Sequence, residues 1–158
     1  MNYLKYCSII KFKSNEKSII CICCIFLLAA WTTNSNMKDQ ITTFTVNLTG
    51  SAEVNPGDPD ATGTAVLIFN HREKTLTYEL TVSGIEGTVN GAHVHEAPAG
   101  SAGPVVIGLI PPVSGSSSGT ISITNKLLKE IIKNPADYYV NVHSTTYSGG
   151  AVRGQLSQ

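Results

Sequence analysis

Two runs decide the fold: Ala65-Val66-Leu67-Ile68-Phe69 and, five residues later, Thr75-Leu76-Thr77-Tyr78-Glu79-Leu80-Thr81-Val82. In the second, Leu76, Tyr78, Leu80 and Val82 alternate with Thr and Glu. That period of two puts one face on a core and the other in water. The first run is apolar on both faces, as in a central strand, and Asn70 to Lys74 is a polar turn, so the pair reads as a hairpin. A helix of 3.6 residues per turn would scatter the same apolar residues around its axis.

The pattern repeats on both sides. Phe44, Val46 and Leu48 alternate upstream with Thr45 and Asn47. Gly50 to Gly63 is rich in Gly, Pro, Asp and Asn and reads as a loop. Downstream, Thr88 to His95 is a strand, Ala97 to Gly103 a small-residue loop and Val105 to Leu109 a short strand. Pro111 to Gly119 reads as a loop and Thr120 to Ile123 as a strand. Tyr138 to His143 and Ala151 to Leu156 are the last two strands, joined by a Gly149-Gly150 turn. One short helix is expected at Asn125–Lys133, capped by Thr124 or Asn125, striped by Leu127, Leu128, Ile131 and Ile132, and ended by Asn134-Pro135. About eight short strands predict a mainly β protein, an antiparallel Greek-key sandwich or barrel.

The first quarter differs. Lys5, Lys11, Lys13 and Lys17 precede an uncharged apolar stretch from Ile19 to Trp31. It is shorter than the roughly 20 residues a spanning helix needs. Residues 1–33 therefore read as a signal peptide or N-terminal membrane-targeting segment, 34–41 as a linker and 42–158 as the working domain. The expected destination is exported: periplasmic, secreted or cell-surface. All four cysteines, Cys7, Cys21, Cys23 and Cys24, fall in the leader. The domain can hold no disulfide and no thiolate metal site. From Met37 onward seven basic residues face ten acidic ones, a net charge of −3. No basic face forms, so nucleic acid is not an expected partner, and membrane contact is expected only through an uncleaved leader.

The residues that can carry chemistry are histidines. His93 and His95 stand two apart on one strand and so share a face. His143 ends another strand, with Tyr139 and Asn141 on its face and Val140 and Val142 on the apolar one. All three imidazoles should leave the core. If the strands are neighbours they can meet on one ion, and imidazole suits copper, zinc and nickel. Glu96 and Asn141 are candidate supporting residues. Arg153 would either steer an anion or bond loop carbonyls. The alternative is that the histidines are polar residues fixing loops. His71, beside Arg72 and Glu73, reads as a solvated turn residue. No G-x-S-x-G and no phosphate-binding glycine loop occurs, so no hydrolase or nucleotide site is expected.

Five ordered motifs resemble the CHRD (chordin-type) domain. They are Leu48-Thr49-Gly50-Ser51-Ala52-Glu53-Val54, Ala61-Thr62-Gly63-Thr64-Ala65, Ala92-His93-Val94-His95 with Gly103-Pro104-Val105, Tyr139-Val140-Asn141-Val142-His143-Ser144, and Gly150-Ala151-Val152-Arg153-Gly154-Gln155-Leu156. Glu96 stands where the family commonly has Gly. The resemblance implies an exported β domain with no defined activity, acting as a non-catalytic module for a protein or glycan partner. A second, local resemblance runs from Gly84 to Glu96. It is similar to the copper–zinc superoxide dismutase stretch that brings two copper ligands on one strand. It implies copper at His93 and His95, with His143 and Arg153 similar in place to that family's late histidine and arginine. This chain lacks a bridging histidine, a zinc-ligand cluster and a cysteine pair, which puts dismutation in doubt and leaves copper or zinc binding as the alternative function.

Overall fold

The computed structural model describes residues 40–157. The expected leader, with the four cysteines, and the expected linker up to Asp39 lie outside the described residues.

Eight strands form one antiparallel sheet: β1 (Ile41–Thr49), β2 (Thr62–Asn70), β3 (Thr75–Ser83), β4 (Val89–Glu96), β5 (Val105–Gly108), β6 (Ser116–Ser122), β7 (Tyr138–Ser144) and β8 (Val152–Gln155). Their order is β5-β4-β7-β8-β1-β2-β3-β6. Of the sandwich and barrel expected, the molecule adopts a curled half-barrel: one sheet, bent, with β5 and β6 as its edges. The β2–β3 hairpin pairs in full register from Thr62↔Ser83 to Asn70↔Thr75. Its turn is closed by Asn70 Oδ1, which accepts the N–H groups of Arg72 and Glu73, and by Lys74 in the left-handed region at φ 56°.

The curl wraps the inner face around one core. Phe44, Leu67, Phe69, Leu76, Tyr78, Leu80, Val94, Val140 and Val142 are all buried there, and the Phe44 and Phe69 rings meet edge to face at 5.9 Å. Helix α1 (Asn125–Lys133) closes the core with Leu128 and Ile131. Thr124 is its cap, its hydroxyl accepting the Leu127 N–H at 3.2 Å.

One reading is corrected. Ser116 to Gly119 is not loop but the first half of β6, paired with β3 from Thr81↔Ser116. Serines carry little strand signal. A Cβ at Gly119 would crowd the Tyr78 hydroxyl at 2.9 Å, and that hydroxyl accepts the Ile110 N–H at 2.8 Å. Pairing with β3 decides the conformation where composition does not.

Candidate functional site

β4 and β7 are neighbours, which is the condition for the histidines to meet. Their register sets Ala92 on Val142 and Val94 on Val140, and on the other face His93 on Asn141, His95 on Tyr139 and Gly91 on His143. The apolar pairs fix this register, because a slip of one residue would bury the imidazoles in the core and expose the valines.

His93, His95 and His143 converge. One ring nitrogen of each lies within 4.8 Å of the others. Ring centroids are 5.1 Å apart for His93 and His143, 5.5 Å for His93 and His95, and 6.2 Å for His95 and His143. Nitrogens bound to one tetrahedral ion at 2.0–2.1 Å would stand about 3.4 Å apart. Closing on an ion therefore takes a small rotation of the rings.

The hydrogen bonds set the tautomers. His95 Nδ1 meets Gly103 O at 2.9 Å, and His143 Nδ1 meets Ser148 O at 3.0 Å. A carbonyl only accepts, so each Nδ1 carries the proton and each Nε2 presents a lone pair. Those two Nε2 atoms, and Nδ1 of His93, are buried without any hydrogen-bond partner. Burial, then the nearby His143 and His95, lower the pKa of His93. Burial lowers that of His143 against the pull of the Ser148 carbonyl, and His95 lowers it further. The two rings are thus held in the neutral, lone-pair-bearing form.

The outer face is covered around His95, Asn141 and Arg153. His95 is 8 % exposed, Asn141 2 % and Arg153 2 %. The cover is the segment from Ala97 to Pro104. Arg153 donates to Ser101 O at 2.8 Å, to Pro98 O at 3.1 Å and to Gln155 Oε1 at 3.0 Å. Gln155 donates to Ala97 O at 2.8 Å, and Gly103 N–H to the Tyr139 hydroxyl at 3.3 Å. The guanidinium lies 3.4 Å over the Tyr139 ring, which stacks on His95 at 4.8 Å and 7°. Arg153 therefore bonds loop carbonyls, and its charge is spent inside the protein. Glu96 has the parity of Ala92 and Val94, is exposed, and is not among the groups that converge.

Sequence reasoning missed Glu53. A short 3-10 turn at Gly50–Ala52 carries its carboxylate onto Gly150, which has φ 134° and no room for a side chain. Burial raises the Glu53 carboxyl to about 7. The Arg153 charge, then contacts with the Asn141 amide and the Val54 N–H, pull the other way. The signal was present only as a pair: an acidic residue in one motif and a Gly-Gly turn in another, nearly a hundred residues apart.

Together these define a class: a disulfide-free, mainly β domain with a triad of imidazoles on the outer face of its sheet. The chain belongs to the CHRD domain family, whose model matches residues 44–156 and so takes in every one of the residues above. No curated protein matches, and no solved structure matches.

Proposed function

We propose that this CHRD domain is an extracytoplasmic binding module whose ligand is a transition-metal ion, copper or zinc, held by His93, His95 and His143. The observation that carries the reading is the set of three unpartnered nitrogens. Burying a ring nitrogen without a partner is costly, and here three rings that each carry such an atom bring ring nitrogens within 4.8 Å of one another. Two are fixed as lone pairs by backbone carbonyls, the arrangement that orients histidine ligands in metal sites. The site is non-catalytic in this reading. Its dismutase similarity rests on three imidazoles, His93, His95 and His143, and the reading takes from it metal binding alone. Extracytoplasmic placement is supported by the basic, apolar leader and by the family, whose domains are generally extracellular. No described helix is long and apolar enough to cross a membrane.

The test is calorimetric titration of Cu(II) and Zn(II) into untagged protein beginning at Ser35. That chain retains the core and omits the four leader cysteines, which would compete for copper. One ion per chain, bound with a Kd of about 1 μM or tighter, is expected. A His93→Ala/His95→Ala/His143→Ala variant should remain folded and lose it. Equal binding by the variant would remove the site.

A further inference from the structure

The three histidines are not equally enclosed. His95 lies under the Tyr139 ring and the Gly103 carbonyl. His143 is tied to Ser148 in the β7–β8 turn. His93 makes no ring hydrogen bond, and its Nδ1 is buried without a partner. Across β5 its register partner is Gly108, so the two share a face. Gly108 is exposed, and a side chain there would meet nothing within 4 Å. β5 is the edge of the sheet, so no further strand covers that side. Gly91, across from His143, likewise contributes no side chain, and a Cβ there would press at 3.3 Å on both His93 and His143. The rings are walled by Tyr139 and two loops on one side, while on the β5 side the neighbouring Gly108 adds no side chain.

Three nitrogen donors leave a four-coordinate ion one ligand short, the arrangement of metal sites that exchange a ligand with solvent. We propose that the site keeps this fourth position open beside Gly108, for a solvent water that a small anion can displace. The inference rests on the metal reading above and concerns what the bound ion can reach. An ion closed off from solvent would be merely stored. An ion open at Gly108 meets small anions.

The experiment loads the Ser35–Gln158 protein with one equivalent of Cu(II), confirms uptake by calorimetry, and titrates sodium azide while following the azide-to-copper charge-transfer absorption. The wild-type protein is expected to show a saturable band. Gly108→Val and Gly108→Leu should take up copper with affinity within about threefold of wild type, and should bind azide at least about tenfold more weakly. Valine suits an exposed strand position, and circular dichroism checks the fold of each variant. Copper bound with no azide band in the wild type would overturn the open position while leaving the metal site intact. Equal azide affinity in wild type and both variants would overturn the entry beside Gly108. Failure of the wild type to bind copper would overturn the metal reading and this inference with it.

Discussion

Arg153 shows how much a single side chain does on this face. It reaches from β8 to two carbonyls of the covering loop, caps Gln155 and lies flat on Tyr139, which in turn lies flat on His95. Replacing it by Ala strands those acceptors and removes a cation–π contact, so Arg153→Ala should cost about 3 kcal/mol in denaturant unfolding. Its guanidinium contacts no histidine, so copper affinity measured on the folded variant should stay within about threefold. A selective loss of metal with unchanged stability would mean that Arg153 serves the site directly. Glu53 titrates in the opposite sense from the histidines. Its folded pKa of about 7 lies above its ordinary 4.5. The folded chain therefore holds a proton that the unfolded chain releases between those values. Its stabilising share is full below pH 4.5 and lost as pH rises through 7. Glu53→Gln should match wild type near pH 5 and gain on it by about 1–2 kcal/mol near pH 8, after allowance for solvent screening of a carboxyl that is partly exposed. Urea denaturation at the two pH values checks this; a constant difference would refute it.

At the scale of elements, legibility in the sequence tracked side-chain periodicity. β3 was plain because Leu76, Tyr78 and Leu80 alternate with Thr77 and Glu79. The helix was plain because Leu128 and Ile131 fall on one stripe behind a capping Thr124. Thr124→Ala should cost about 1 kcal/mol by thermal or urea unfolding, since it leaves the Leu127 N–H without its acceptor. β6 was half hidden because Ser116, Ser117 and Ser118 have no apolar alternation, and their strand is dictated by β3. The histidine triad was legible in part. Parity placed His93 and His95 on one face, but only the order β4-β7 brings His143 beside them, and that order joins strands more than forty residues apart. The cover over the outer face was legible in part: Arg153 was a candidate to bond loop carbonyls, but neither the loop it would reach nor the role of Gln155 could be read. It depends on Arg153 and Gln155 reaching backbone carbonyls, and carbonyls are present at every residue.

For the whole molecule, the two sets of buried titratable groups oppose each other. His93 and His143 have lowered pKa values. As pH falls from their ordinary 6.5, the unfolded chain takes up protons that the folded chain refuses, and stability drops through the lowered values. Glu53 gains in the same range. The metal-free protein should therefore have a shallow stability profile between pH 5 and 7, by Tm against pH. The His93→Ala/His143→Ala variant should instead lose stability steadily as pH rises across that range, and a profile that rose with pH would contradict this.

The central claim is that three imidazoles are held ready for one ion. Long-range ¹H–¹⁵N correlation of the histidine rings, at pH 7 before and after one equivalent of Zn(II), tests it most directly. Before zinc, His95 and His143 should be Nδ1–H tautomers. After zinc, Nδ1 of His93 and Nε2 of His95 and His143 should shift together and saturate at one ion, with His71 unmoved. Nε2–H tautomers at His95 and His143, or rings indifferent to zinc, would contradict the account.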